Sequence, residues 1–297
     1  LQQAGREAAR IDVRRRDLRL PTGEGVPSEL AELIGAINAA LDRLDTGVRR
    51  QQRIAAEVLK LDSRDARALQ IFGCAALMQG RAADAIAPLE TAAHIRRDAE
   101  VDMQLAAALR QTGRVDDALS RLRRAIKRQP PKPKACYELG CALDSTKRHD
   151  EAAEVFARGR DIAPMVPEFS IQLGRVFLER RNFTNAQHAF ARALEISPGS
   201  HDALSGLALA HQRAGEYQKA ADHFRRCLAT RPDPGTWLNL GRCLLHLGQL
   251  DEGYECFRLA VRSDPNRYGS ALAMLTKSAR GRFWLKPSAA ARFFRTK

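Results

Sequence analysis

Seven histidines are the residues of this sequence best suited to proton transfer or metal binding, because imidazole titrates near neutral pH and is a common zinc ligand. They are His94, His149, His188, His201, His211, His223 and His246. No cysteine or carboxylate completes a zinc set around His211 and His223 at the usual ligand spacing. The sequence therefore predicts no metal site and no bound cofactor.

Six cysteines are the candidate nucleophiles and disulfide partners, and they are Cys74, Cys136, Cys141, Cys227, Cys243 and Cys256. They form no C-x-x-C pair. A chain of 297 residues with 44% hydrophobic content can bury a large core without disulfides. We therefore interpret the cysteines as small packing residues and expect a reducing, cytoplasmic compartment.

Motifs that would carry catalysis are missing from the sequence. It contains no G-x-x-x-x-G-K-[ST], no G-x-S-x-G and no H-E-x-x-H. Adjacent acids do occur, at Asp116 and Asp117 and again at Asp251 and Glu252. Both pairs fall where a helix is predicted to begin, and negative charge there complements the helix dipole. The sequence predicts that the chain is not an enzyme.

The elements that must position any site come from a repeat of 33 or 34 residues. Six blocks align, at residues 66–98, 99–132, 133–166, 167–200, 201–233 and 234–267. Position 8 of each block holds Gly or Ala, and position 24 holds Leu or Phe. Position 32 holds proline in five blocks and Arg97 in the first.

Each block predicts two helices. Apolar residues at positions 4, 7 and 11 share one helix face, and those at positions 20, 24, 27 and 28 share another. Small residues at positions 8 and 20 let the two helices cross closely. Glycine at position 15 suits the left-handed turn after the first helix, although Lys147 and Arg181 replace it in two blocks. Proline at position 32 ends the second helix.

The last block matches a known repeat pattern. Its Trp237, Leu240, Gly241, Phe257 and Pro265 follow W-x2-L-G-x2-Y and then A, F, A and P, so the block resembles the tetratricopeptide repeat. The resemblance covers residues 66–267. It implies an all-α fold, a right-handed α-solenoid of about six helix pairs. It also implies a capping helix at the start of residues 268–297.

The segment of residues 1–60 has a different pattern. After Ser28, apolar residues recur at alternating steps of four and three, which is the spacing of a coiled-coil seam. They are Leu30, Ile34, Ile37, Leu41, Leu44 and Val48. The long amphipathic helix that they predict would either pair in a parallel homodimer or fold its stripe onto the first repeat, and the pattern leaves both arrangements open.

Residues 10–53 resemble the linker that leads into the dimerisation helix of bacterial sensor histidine kinases. The following sequence, IAAEVLKLDSRDARAL, lacks the phosphoacceptor histidine of that family, and no histidine precedes His94. No ATP-binding motif follows. Autophosphorylation is therefore excluded. A signalling-type helix naturally fused to repeats and a joining of unrelated sequences both fit this pattern.

In the tetratricopeptide family, the first helix of each block lines the partner groove. Carried over by register, the groove residues of this chain are Gln104, Arg110, Lys134, Tyr137, Gln172, Arg175, Glu179, Gln212, Arg213, Asn239, Arg242 and His246. The Lys and Asn pattern of the carboxylate clamp and the asparagine ladder of glycosyltransferase-linked arrays do not occur. We therefore expect a peptide or protein partner whose acidic groups meet Arg175, Arg213 and Arg242.

Positive charge is concentrated at the C-terminal end. The formal net charge is +14, and the last thirty residues contain seven Lys or Arg and no acid. Phe283, Trp284, Phe293 and Phe294 lie among these cations. Such a tail either contacts anionic lipid or nucleic acid, or packs its aromatics against the end of the array. Because the repeats carry mixed charge, we expect no specific nucleic-acid partner.

The first residue is leucine, so we expect the true N-terminus to lie upstream. We expect membrane contact only through that flank or through the basic tail. The function predicted from these features is a non-catalytic scaffold or adaptor that binds a peptide or protein in the repeat groove. Two alternatives remain: the recognition part of a larger sulfotransferase or glycosyltransferase, and a degenerate, dimerising signalling protein without kinase activity.

Overall fold

The computed structural model describes residues 46–277 together with Phe293 and Phe294, and the regular elements of these residues are all helical. The chain divides into two compact units, Leu1–Glu138 and Leu139–Lys297. No helix in the described ranges is both long and apolar enough to cross a bilayer.

Fourteen helices occur in the described residues. In the first unit they are α1 (46–61), α2 (Ala66–Met78), α3 (Ala82–Ile95), α4 (Ala99–Gln111) and α5 (Val115–Ala125). The division between the units falls within α6 (Pro133–Ser145). The second unit contains α7 (His149–Ile162), α8 (Pro167–Glu179), α9 (Phe183–Ile196), α10 (His201–Arg213), α11 (Tyr217–Thr230), α12 (Pro234–Leu247), α13 (Leu250–Ser263) and, after a 3-10 turn at Pro265–Arg267, α14 (Tyr268–Lys277).

The helices follow the repeat. The first helix of every block begins at the first residue of that block, from Ala66 in α2 to Pro234 in α12. In the first unit each helix from α2 to α5 packs on the next, and in the second unit the same holds from α7 to α14. The predicted all-α fold of paired helices that follow the repeat, with a C-terminal capping helix, is confirmed within each unit.

Small residues bring the two helices of a block into close contact, as predicted. A Cβ atom added to Gly174 would lie 2.6 Å from the Phe190 ring, and the same ring abuts Gly206 on the following helix. In the last block a Cβ atom on Gly241 would lie 3.0 Å from the backbone oxygen of Gly253. Since real Cβ contacts are longer, these glycines are required for the helix spacing. The aromatic residue at position 24 fills the gap that they leave.

The turn at position 15 has the same conformation in all six blocks. Its four glycines have φ between 70° and 84°, while Lys147 has φ 61° and Arg181 has φ 58°. The two exceptions therefore differ from the repeat in residue type and not in backbone shape. A non-glycine residue in the left-handed region costs about 1–2 kcal/mol. These two turns retain a strained side chain where glycine would be unstrained.

Helix α1 packs on the first repeat. Ala55 is buried, and Gln79 of the following turn donates its side-chain amide to the Gln52 side chain. Ile54, Val58 and Leu61 remain exposed. Within residues 46–61 the segment thus folds onto the first repeat. Of the six seam residues, Val48 is described and five lie outside the described residues, namely Leu30, Ile34, Ile37, Leu41 and Leu44. Most of the range that resembles the kinase linker also lies outside them. The homodimer therefore stays a prediction.

Helix α14 and two tail aromatics cover the last helix pair. Ala271, Leu275 and Phe294 join a buried cluster with residues of α12 and α13. The Phe293 ring lies 5.3 Å from the Arg258 guanidinium, and the Tyr268 and Phe294 rings meet edge to face at 5.1 Å. For Phe293 and Phe294, packing against the end of the array is the observed arrangement. Phe283 and Trp284 lie outside the described residues.

Candidate partner-binding site

The predicted groove residues lie on the first helices of their blocks. Gln104 and Arg110 are on α4, Lys134 and Tyr137 on α6, and Gln172, Arg175 and Glu179 on α8. Gln212 and Arg213 are on α10, and Asn239, Arg242 and His246 are on α12. The first-unit members are partly engaged with the repeats themselves. Gln104 accepts a hydrogen bond from Gln70 at 2.9 Å, and Lys134 lies 3.6 Å from a Glu100 carboxylate oxygen.

Four of the predicted residues meet in one cavity of the second unit. Its volume is about 410 Å³, and its lining residues are Arg181, Phe183, Gln212, Arg213, Tyr217, Arg242 and His246. We call this the groove cavity. Arg175, which the sequence predicts to share an acidic ligand with Arg213 and Arg242, does not line this cavity. The Arg175 guanidinium instead lies 3.4 Å from the Asp202 carboxylate.

Gln212 organises the floor of the groove cavity. This side chain is buried, which is unusual for an amide, and its polar atoms are satisfied by α12. The amide nitrogen donates to the backbone oxygen of Asn239 at 2.9 Å and contacts Cys243 Sγ at 3.1 Å. Its oxygen accepts a hydrogen bond from Arg242. Gln212 therefore ties α10 to α12 and orients the Arg242 guanidinium.

Three arginines give the groove cavity its positive charge. Arg242 is half-buried and held by Gln212. Arg213 is exposed and directs one guanidinium nitrogen to the backbone oxygen of Leu178, at 3.4 Å. Arg181 is exposed and stands at the strained turn after α8. Each guanidinium has five N–H donors, so hydrogen-bonding capacity remains for a carboxylate ligand.

Aromatic side chains form another part of the lining. The rings of Tyr217 and His246 stack with centroids 4.1 Å apart and an interplanar angle of 1°. Phe183 and Tyr217 are both half-buried. Flat rings beside guanidinium groups can hold both the apolar stem and the charged end of an amino-acid side chain.

Register alone did not identify Arg181, Phe183 and Tyr217 as lining residues. The family pattern assigns the groove to first helices, whereas these residues follow the first helix or begin the second. Two signals were present in the sequence. Arg181 replaces glycine at position 15, and position 17 holds the aromatics Phe183 and Tyr217 only in the fourth and fifth blocks.

The titratable groups near the groove cavity form a structural network. His211 Nδ1 lies 2.6 Å from Glu216, and Lys219 lies 3.2 Å from the same carboxylate. Hydrogen bonds from His211 and Lys219 lower the pKa of Glu216 below its usual value. The His211 and His223 rings stack at 5.4 Å, and burial lowers the pKa of His223. Among the described residues, no group of three or more His, Cys, Asp or Glu is placed to hold a metal ion.

The cysteine thiols are poor nucleophiles where burial affects them. Burial raises the pKa of Cys74, Cys227 and Cys243 to about 11 and that of Cys256 to about 12. A thiol with such a pKa stays protonated at neutral pH, and the thiolate is the reactive form. Cys243, which does not line the groove cavity, is thus a neutral contact of the buried Gln212 amide.

Solved structures of repeat proteins share this fold. The C-terminal part of a TPR repeat-containing protein from Cytophaga hutchinsonii aligns with a TM-score of 0.67 and 11% identity, covering 79% of this chain and 97% of that one. YrrB, described as a TPR protein with an unusual peptide-binding site, aligns with a TM-score of 0.54 and 16% identity. The alignment covers 61% of this chain and 94% of YrrB. MamA from Desulfovibrio magneticus RS-1 aligns with a TM-score of 0.51 and 22% identity. The alignment covers 56% of this chain and 94% of the MamA chain.

Family models give the most direct assignment by sequence. No curated protein matches the chain in sequence. Two models described as tetratricopeptide repeat do match, one at residues 103–167 and 171–235 and the other at residues 212–275. These ranges cover more than half of the chain and contain every residue of the groove cavity. Together with the helix pairs and the close packing of Gly174 and Gly241, they show that this chain belongs to the tetratricopeptide repeat family.

Proposed function

We propose that the chain is a non-catalytic scaffold that binds an acidic segment of a protein partner in the groove cavity. Membership of the tetratricopeptide family supports a protein-interaction scaffold in general. The proposal of an acidic ligand in the groove cavity depends on one observation. Three arginines and a stacked Tyr217–His246 pair line the same cavity, and the buried Gln212 orients Arg242.

The chemistry of the lining favours carboxylate side chains in the partner. Arginine binds carboxylates through paired N–H groups, and a guanidinium that is already oriented loses less freedom on binding. Glu216, the acid next to Tyr217 in sequence, is already paired with His211 and Lys219. An arriving Asp or Glu would therefore find unneutralised positive charge in the cavity.

The size and shape of the cavity favour a peptide segment. About 410 Å³ accommodates a few side chains and not a whole domain surface. The aromatic wall provides a place for an apolar residue beside the acidic ones. YrrB, a protein of the same fold, is described as having an unusual peptide-binding site, which supports a peptide ligand for this chain.

A displayed library of random peptides selected on the full chain tests this proposal. We expect the selected peptides to be rich in Asp and Glu, and we expect binding to weaken about a hundredfold in Arg181→Glu/Arg213→Glu, since each reversal removes an attraction and adds a repulsion. Both arginines are exposed, so this variant should keep the fold. Fluorescence polarisation of a labelled selected peptide measures the affinities.

The matched control is Arg226→Glu/Arg231→Glu, which makes the same charge change at two exposed arginines outside the groove cavity. We expect its affinity to stay within about twofold of the parent, because distant exposed charges are screened by salt. Equal losses in both variants would reduce the effect to overall charge and contradict the proposal. Selection of no peptides, or of peptides without acids, would contradict it as well.

A further inference from the structure

The first unit contains a cluster of positive charge that the groove cavity does not use. A cavity of about 360 Å³ lies beside the C-terminal ends of α3 and α5, and its lining includes Arg97, Arg124, Lys127 and Arg128. A neighbouring cavity of about 420 Å³ shares Arg97 and Arg128 with it. We call these four residues the basic junction.

The basic junction arises where the repeat pattern is broken. Arg97 stands at position 32, which holds proline in the other five blocks. In the fourth block, Arg192 at position 26 donates to Glu195 at position 29, with 2.7 Å between the atoms. The same two positions of the second block hold Arg124 and Lys127. In the second block a second cation thus stands where the fourth block has the acid that neutralises its arginine.

Three of the four cations are unneutralised. Within the described residues, the side chains of Arg97, Arg124 and Lys127 are exposed and make no ion pair or hydrogen bond. Arg128 differs, because its Nε and Nη2 atoms lie 3.3 and 3.2 Å from Asp102 Oδ2, and Asp102 is buried. The buried carboxylate fixes the orientation of the Arg128 guanidinium, whereas the other three side chains have no acidic partner among the described residues.

Helix-dipole compensation does not account for this many cations. Basic residues near a helix C-terminus are favourable, and Arg123, Arg124 and His94 fall in last turns. The last turns of α9 and α11, however, contain no basic residue, and that of α13 contains one. The equivalent helix ends are therefore stable without such a cluster.

We propose that the basic junction binds a compact ligand with clustered phosphate groups. Phosphate is recognised by the guanidinium fork and by the point charge of lysine, and one oriented arginine with three free cations suits adjoining phosphates. The cavity volume lies within the range of small-molecule sites, about 300–1,000 Å³. An inorganic oligophosphate and the triphosphate of a nucleotide present the same chemistry here.

Calorimetric titration of the full chain with inorganic triphosphate, without divalent cations, tests the proposal. We expect binding by the parent and a loss of about tenfold or more in Arg97→Gln/Arg124→Gln/Lys127→Gln, since three direct charge contacts are removed. The matched control, Arg226→Gln/Arg231→Gln/Arg262→Gln, removes the same charge from exposed sites elsewhere and should stay within about twofold of the parent. Circular dichroism verifies that both variants fold.

The outcomes separate the sources of phosphate. Equal affinities for triphosphate and ATP support recognition of the phosphates alone, and tighter binding of ATP that is also lost in the junction variant supports a nucleotide source. Absence of triphosphate binding by the parent, or equal losses in both variants, would overturn the proposal. Binding of single-stranded RNA that strengthens with length, without binding of triphosphate, would assign the surface to nucleic acid and overturn it too.

Discussion

The groove cavity of the second unit and the basic junction of the first unit are both rich in arginine, yet they hold their cations differently. In the groove cavity, Gln212 orients Arg242, and the stacked rings of Tyr217 and His246 provide a flat wall. In the basic junction Asp102 fixes Arg128, and the described lining of the cavity has one ring, that of the exposed His94, and no stacked pair. The first arrangement can select a shaped side chain, whereas the second can select only charge density.

Both regions also lie where the repeat departs from its own pattern. Arg181 replaces a glycine at position 15 near the groove cavity, and Arg97 replaces a proline at position 32 in the basic junction. Positions that keep the pattern, such as the Gly or Ala at position 8 and the Leu or Phe at position 24, maintain helix spacing. In this array the columns that agree describe the helix packing. Two exceptions, Arg181 and Arg97, line the proposed sites, whereas Lys147 lines neither.

We expect the largest loss of stability for Phe190→Ala. This substitution should affect binding at the groove cavity and leave binding at the basic junction unchanged. The Phe190 ring is fully buried and abuts Gly174 and Gly206, so its removal leaves a void between three helices that approach the groove cavity. We expect the free energy of unfolding to fall by about 3–5 kcal/mol. Urea denaturation followed by circular dichroism measures it. Acidic-peptide affinity should fall while triphosphate binding persists, and a loss below about 1 kcal/mol would contradict this packing.

We expect a smaller loss of stability for Gln212→Leu. The matched substitution in the first unit is Gln104→Leu. Gln212 is buried and bonded to α12 at several atoms, whereas Gln104 is half-buried and bonded to Gln70. We expect losses of about 1–2 kcal/mol for the first and less than about 1 kcal/mol for the second. Only the first should weaken peptide binding, because only it releases Arg242. Equal effects on peptide binding would show that the network does not orient Arg242.

Glycine substitutions at the two strained turns should stabilise the protein. Arg181 and Lys147 share the left-handed conformation, so Arg181→Gly and Lys147→Gly should each raise the free energy of unfolding by about 1 kcal/mol. Only Arg181→Gly should also weaken acidic-peptide binding, since Lys147 does not line the groove cavity. Denaturation and fluorescence polarisation on the same samples test both expectations. Unchanged peptide affinity in Arg181→Gly would remove this residue from the site.

We expect the smallest effect on the pH dependence of the free energy of unfolding. One carboxylate from each unit, Asp98 and Glu216, is compared. Hydrogen bonds from His211 and Lys219 lower the pKa of Glu216, and the backbone N–H of Glu100 together with Lys132 lowers the pKa of Asp98. A lowered pKa gives stability that is present above the unfolded value, near 4.5 for Glu216, and that is lost as the pH falls through the native value. Glu216→Gln and Asp98→Asn should each flatten the fall in unfolding free energy below about pH 4.5. Slopes that match the parent would show that neither pairing favours the folded state.

Much of the fold followed from the sequence because its determinants are local and repeated. The helix starts from Ala66 to Pro234, the left-handed turns and the acidic first turns of α5 and α13 all depend on residues within one block. Pairings between blocks were harder to foresee. Asp202, which engages Arg175, lies 27 residues further along the chain, and Gln212 reaches Arg242 from the preceding block.

Photo-crosslinking of an acidic peptide selected on the full chain tests the central claim most directly. The peptide carries a benzophenone group, and mass spectrometry identifies the protein residues to which it is joined. We predict crosslinks to α10, α11 and α12 around Tyr217 and His246, unaffected by excess triphosphate. Crosslinks at Arg97 and Lys127 that triphosphate abolishes, or crosslinks spread over all repeats, would contradict the assignment of the groove cavity as the partner-binding site.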